Sequence, residues 1–227
     1  MNLFKLCLLG CLLSFALNRS FAQESSWDST YRPAVYPLLV EQFKSFPKAS
    51  SDIVFLGNSI TAGTDWNELL QLPTARNRGI SGDITYGVLE RLDDVISGKP
   101  SKIFILIGIN DISKNIPDDT ILNNYAKIVD RIQTGSPKTS IYFQTLLPVN
   151  ASFGKFENHY EKDQHILYVN EGIRKLTDKK NIQLIDLYPH FLDGDNHLKA
   201  SLTHDGLHLR IEGYQVWAKI LKDGGYL

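Results

Sequence analysis

Cysteine is scarce in this chain. Cys7 and Cys11 are the only 2 in 227 residues, and both stand near the amino end. Beyond Cys11 the absence of thiols excludes a disulfide scaffold, a thiolate nucleophile and a zinc–thiolate centre. An excess of one charge sign is also missing, since 24 Lys and Arg face 25 Asp and Glu. That balance provides no general field for nucleic acid or for an anionic lipid surface, so neither is expected as a partner. No GxGxxG, P-loop or HExxH pattern occurs. There is no internal repeat, no low-complexity tract and no Pro/Gly/Ser-rich linker. Long apolar runs are limited to Leu6–Leu17, interrupted by Gly10 and Ser14 and too short to span a bilayer with ease.

What is present at the amino end has three parts. Met1–Lys5 carries one Lys and no acid, the apolar run follows, and Ser20-Phe21-Ala22 places small residues at −3 and −1 from a cut before Gln23. This is the pattern of a secretory signal peptide over residues 1–22. It predicts export to the periplasm or the extracellular space, with no stable membrane insertion and a single domain over 23–227. A lipoprotein cut at Cys11, after Leu8-Leu9-Gly10, is the second reading.

The remaining chain is evenly punctuated. Short apolar runs at Asp52–Leu56, Lys102–Ile107, Ser140–Gln144 and Gln183–Asp186 read as buried strands, with a weaker one at Thr74–Arg78. Helical spacing covers Pro33–Phe46, Thr85–Ile96, Thr120–Gln133, Ile166–Lys179 and Glu212–Leu221. In the second of these, Val88, Leu89, Leu92, Val95 and Ile96 share one face. Strands alternating with helices predict an α/β protein with a parallel sheet covered on both faces. Working residues in such sheets lie just beyond the carboxyl ends of the strands.

Three polar, glycine-bearing groups follow the predicted strands, and a fourth precedes the last helix. The first is Gly57-Asn58-Ser59-Ile60-Thr61. A serine on a strand-to-helix turn can act as a nucleophile if a base takes its proton, although the same residue can serve only as a helix N-cap. The second is Gly79-Ile80-Ser81-Gly82-Asp83, where Gly82 would let a substrate approach a backbone N–H closely. The third is Gly108-Ile109-Asn110-Asp111, whose Asn110 amide can donate to a developing oxyanion. The last is His204-Asp205-Gly206-Leu207-His208. Spacing of i and i+3 puts Asp205 and His208 on one side of a helical turn, so that the carboxylate can fix the imidazole tautomer. Each group taken alone also reads as a cap, a turn or a solvated pair. Together they supply a nucleophile, a base with its orienting acid, and oxyanion donors.

These four blocks resemble the SGNH hydrolases, also called the GDSL esterase/lipase family. The blocks are GNSIT, NRGISGD, Gly108–Asp111 and Asp205–His208. Asn58 stands where many members have Asp. The resemblance implies a flavodoxin-like three-layer α/β/α sandwich with a parallel sheet of about five strands. It also implies ester hydrolysis without a cofactor or metal. Ser59, Asp205 and His208 are then the catalytic residues, and Ser59, Gly82 and Asn110 form the oxyanion hole. Whether Asp83 and Asp111 touch substrate or brace loops stays open. His159, His190, His197 and His204 are taken as structural or surface residues.

Two other classes compete. A metal-dependent hydrolase could use Asp193, Asp195, His197, His204, Asp205 and His208, but read as a calcium loop the stretch has Leu198 where Gly is required and His204 where Glu is required. A non-catalytic carbohydrate-binding protein could stack sugars on Trp27, Trp66 or Trp217, although aromatic residues are more often core. For the substrate, the polar segment Pro148–Glu161 follows the fourth strand and is expected over the site. Its mixture of Asn150, Phe153, Phe156, Asn158, His159 and Tyr160 favours a small polar alcohol over a bulk lipid. The expectation is a short-acyl, acetyl esterase acting on an O-acetylated carbohydrate such as an acetylated glycan or sialic acid. The alternative is a lipid esterase of the lysophospholipase or platelet-activating-factor-acetylhydrolase kind.

Overall fold

The computed structural model describes residues 27–227, so the expected leader at 1–22 and Cys11 lie outside the described residues. Five strands form one sheet: β1 (Ile53–Gly57), β2 (Ala75–Gly79), β3 (Lys102–Leu106), β4 (Ser140–Gln144) and β5 (Gln183–Ile185). Every pairing is parallel, in the order β2-β1-β3-β4-β5. The helices are α1 (Tyr36–Ser45), α2 (Ser59–Ala62), α3 (Trp66–Leu70), α4 (Thr85–Ser97), α5 (Ile109–Ser113), α6 (Asp118–Gly135), α7 (Asp163–Lys180), α8 (Tyr188–Phe191) and α9 (Ile211–Asp223). The expected strands and long helices are all found, with ends displaced by up to three residues. The short helices α2, α3, α5 and α8 carry no amphipathic period of their own and had no signal.

The strands are apolar because both faces are covered. β1 is buried along its length and β3 from Ile103 onward. Register places Phe55 beside Phe104 and Phe104 beside Tyr142. Their rings stack at 4.9 and 4.6 Å, and Trp66 of α3 stacks on Phe55 at 4.0 Å. Trp217 of α9 meets Trp66 edge-on at 4.8 Å, closing an aromatic layer on that face. The alternate strand residues point to the other face. There α4, α6 and α7 pack side by side, with α1 resting on α4. The result is the expected three-layer α/β/α sandwich. Trp66 and Trp217 are wholly inside it, so neither offers a platform for a sugar.

The chain runs outward from β1 to β2, then crosses back to β3 on the far side of β1. This reversal leaves a crevice outside the carboxyl ends of β1 and β3, the place where doubly wound sheets bind ligands.

Candidate active site

Ser59 stands at the first position of α2, directly after β1. Asn58 caps that helix through Oδ1, which accepts the Ile60 N–H at 3.0 Å. The strand-to-helix turn holds the Ser59 side chain in the crevice while neighbouring Asn58 and Ile60 are buried. Tyr214 of α9 fixes the turn from behind by donating to the Ile60 carbonyl at 2.8 Å.

His208 reaches the same place from the far end of the chain. Its Nε2 lies 2.9 Å from Ser59 Oγ, and its Nδ1 lies 2.8 Å from Asp205 Oδ2. The other carboxylate oxygen of Asp205 accepts the backbone N–H groups of Leu207 and His208 at 3.0 and 2.7 Å. Burial raises the Asp205 pKa, but the hydrogen bonds from His208 and Leu207 outweigh it and hold the carboxyl below its ordinary value. It therefore stays an acceptor, which puts the ring proton on Nδ1 and leaves Nε2 to face the serine. The i, i+3 contact expected on a helical turn arises differently. Residues 204–208 form a bent loop closed by the Thr203–Leu209 bridge, and the Asp205 side chain folds back onto the N–H groups ahead of it. Tyr160 donates to the Asp205 carbonyl at 2.9 Å, tying the polar segment after β4 to this loop.

Gly82 and Asn110 complete the wall. Gly82 sits at φ +79, a left-handed conformation that side chains rarely adopt. Among the described residues, neither its N–H nor that of Ser59 donates to a protein acceptor. Asn110 is at the start of α5 and is buried. Its Nδ2 donates to the Asp83 carbonyl at 2.9 Å, and its Oδ1 meets His159 Nε2 at 3.1 Å. An amide nitrogen carries two protons, so one remains for the crevice. Ser59, Gly82, Asn110 and His208 all line a cavity of about 360 Å³.

His159 is partly buried and lines the same cavity. Burial is the main cause of its lowered pKa, about 4, with the charges of His208 and Lys114 adding to it. The ring is therefore neutral at ordinary pH. Its Nδ1 is buried and has no partner among the described residues, so the proton belongs on Nε2, which donates to Asn110 Oδ1. The only sequence sign of this residue was its position in the segment after β4. Phe156 from the same segment meets the His208 ring edge-on at 5.1 Å. Of the other histidines, His190, His197 and His204 are exposed, as expected.

The two open acids prove to be braces. Asp111 accepts the Thr85 N–H at 3.0 Å and the Thr85 hydroxyl at 2.6 Å, pinning the start of α4. Asp83 pairs with Arg91 at 3.0 Å inside the protein. The same guanidinium donates to the carbonyls of Arg78 and Gly57 at 2.8 and 3.1 Å, joining the ends of β2 and β1. Among the described residues, His204, Asp205 and His208 are one group spaced to hold a metal. Two of its donor atoms, Asp205 Oδ2 and His208 Nδ1, already bond to each other, so an ion there would have to break the contact that orients the imidazole.

A hydroxyl, an imidazole and a carboxylate in series at the carboxyl rim of a doubly wound sheet form the arrangement of a serine hydrolase. The sequence profile of the GDSL-like Lipase/Acylhydrolase family matches residues 55–216, and the chain belongs to that family of ester-cleaving enzymes. It is 30% identical over 177 residues to the platelet-activating factor acetylhydrolase IB subunit alpha2 of Rattus norvegicus, covering 75% of this chain and 73% of that one. A solved structure from Streptococcus pneumonia, provisionally named a platelet activating factor, superposes with a TM-score of 0.76 at 32% identity, covering 83% of this chain and 92% of that one. The acetyl xylan esterase AlAXEase superposes with a TM-score of 0.65 at 25% identity, covering 76% and 98%.

Proposed function

We propose that the protein removes short acyl groups, acetyl above all, from an O-acetylated carbohydrate through an acyl-enzyme on Ser59. The observation that carries this reading is the 2.9 Å contact between Ser59 Oγ and His208 Nε2 in one cavity with Gly82 and Asn110. In the first step His208 takes the serine proton as Oγ attacks the ester carbonyl. Charge develops on the carbonyl oxygen and is taken up by the N–H groups of Ser59 and Gly82 and the second N–H of Asn110, all on the wall of the same cavity. His208 then gives its proton to the leaving alcohol. In the second step it takes a proton from water, which attacks the acyl-enzyme, and the acid departs as Oγ recovers the proton. Asp205 stabilises the imidazolium at both stages.

Two observations support a small polar alcohol. Among the described residues, none of the large exposed apolar side chains, Val35, Leu38, Phe46, Leu167, Tyr168 and Ile211, lines the catalytic cavity, whose apolar wall comes from Tyr31, Phe156 and Leu207. The resemblance to an acetyl xylan esterase supplies a neighbour that acts on an acetylated sugar chain. The 30% likeness to a platelet-activating factor acetylhydrolase subunit supports the lipid alternative, and by its name that protein too removes acetyl.

Ser59→Ala is expected to abolish hydrolysis of p-nitrophenyl acetate with the circular dichroism unchanged. Undiminished turnover would exclude this serine as nucleophile. In the wild type, kcat/KM should fall steadily as the acyl chain lengthens from acetyl to octanoyl. A rise along that series, or acetate release from acetylated ether phospholipid and none from acetylated xylan or sialic acid, would favour the lipid reading.

A further inference from the structure

Lys114 is a half-buried cation on the wall of the catalytic cavity. It follows Asn110 by four residues, so ammonium and amide lie on one face at the end of α5. A second cavity of about 410 Å³ adjoins the first and shares Ser113, Lys114, Phe156 and His159 with it. Lys114 therefore stands between the reacting serine and the space into which the alcohol part of an ester would extend. Its Nζ is 3.5 Å from the centre of the Tyr31 ring, which holds the long side chain in place without neutralising it.

Among the described residues the charge meets no carboxylate. Several cations around the sheet do meet an acid: Arg91 meets Asp83, Arg32 meets Glu90, Arg76 meets Asp52, Lys48 meets Asp94 and Arg174 meets Asp186. Among the described residues, no carboxylate lies within ion-pairing distance of Lys114 and no acceptor takes its protons. The outer cavity also carries the exposed Lys155 and one acid, the exposed Glu157. A partly desolvated ammonium is costly to leave unpaired, and here it faces the space where substrate enters.

We propose that Lys114 forms an anion subsite beside the reacting centre, so that the preferred substrate is an acetyl ester whose alcohol also bears a carboxylate or phosphate. This rests on the esterase reading and narrows it. The ammonium makes a charge-assisted hydrogen bond to the anion, and Tyr31 and Phe156 line the same cavity. A zwitterionic or neutral alcohol gains much less.

The test compares acetate release by the full chain from three esters of matched geometry: acetylated methyl glucoside, acetylated glucuronic acid and acetylated glucose phosphate. The wild type should favour at least one anionic ester over the neutral one by about tenfold in kcat/KM, expressed in KM. Carboxylate and phosphate arms separate a sugar acid from a sugar phosphate. Lys114→Gln should bring the ratio near one, Lys114→Arg should keep most of it, and Lys114→Glu should invert it. A wild-type ratio near one, or a ratio that survives in Lys114→Gln, overturns the proposal. Calorimetric binding of glucuronate and glucose phosphate to the wild type and to Lys114→Gln reads the subsite without turnover. Failure to hydrolyse p-nitrophenyl acetate and to react with a fluorophosphonate would strike the esterase reading, whereas loss of anion binding alone would strike only this one.

Discussion

Replacement of Asn110 by alanine separates an oxyanion donor from a turn residue. Two bonds pin the amide, one to the Asp83 carbonyl at 2.9 Å and one from His159 at 3.1 Å, so its free N–H is aimed before substrate arrives. A preorganised donor of this kind contributes about 10²–10³ in kcat, or about 3–4 kcal/mol of transition-state stabilisation. Asn110→Ala should therefore lower kcat on p-nitrophenyl acetate by that factor while KM changes little, because the ground-state carbonyl binds less strongly than the oxyanion. The same variant leaves His159 Nε2 and the Asp83 carbonyl without a partner. Water entering from the open cavity compensates in part, so unfolding free energy should drop by about 1–3 kcal/mol. Urea unfolding and steady-state kinetics at one pH measure the two effects independently. A folded variant with less than about a fivefold loss in kcat would show that the amide is only a turn anchor. Asn110→Asp sharpens the result, since a carboxylate would face the oxyanion and must lose at least as much.

Other outcomes follow from the buried charges. Asp111 is pushed up to about 7, first by burial, against the hydrogen bonds from Thr85 and with the nearby Asp83 charge adding to the rise. Its native form holds a proton that the unfolded chain releases near the ordinary carboxylate value. The stability it contributes is complete below about pH 4 and is lost as pH rises to about 7, by up to about 4 kcal/mol. His159, lowered to about 4, acts in the opposite sense, since the unfolded ring takes up a proton near its ordinary value before the native ring does. Its contribution is present above about pH 6.5 and is lost as pH falls toward 4. Asp111→Asn should therefore convert a nearly level stability profile between about pH 4 and 7 into a rising one, read by urea midpoints. An unchanged profile would contradict the assignment. Arg91→Met leaves Asp83 buried and unpaired and should cost about 3–5 kcal/mol, with activity lost in step with folding. Treatment with a chelator should leave p-nitrophenyl acetate hydrolysis unaltered, and restoration of lost activity by added zinc or calcium would revive the metal alternative.

The local pattern of the chain was enough to define the layers. DIVFL and KIFILI are continuous apolar runs because both faces of a parallel strand are covered, and the spacing of Val88, Leu92, Val95 and Ile96 follows the buried face of α4. The four polar blocks were legible because each abuts a strand or the final helix, and topology alone carries such ends to one rim. Ser59, Gly82, Asn110, Asp205 and His208 could be picked out on that basis. Only the folded chain could decide what each polar group faces. Hydrogen-bond partners separated by 26 or 49 residues, as in Thr85 with Asp111 or Asn110 with His159, leave no periodic trace. Burial does the rest. Asp111 and Asp83 became braces, and His159 became a neutral donor to Asn110. Lys114 was left without an acidic partner among the described residues, in the cavity that Ser59 also lines, because the surrounding layers fix which charges meet a partner and which meet the cavity.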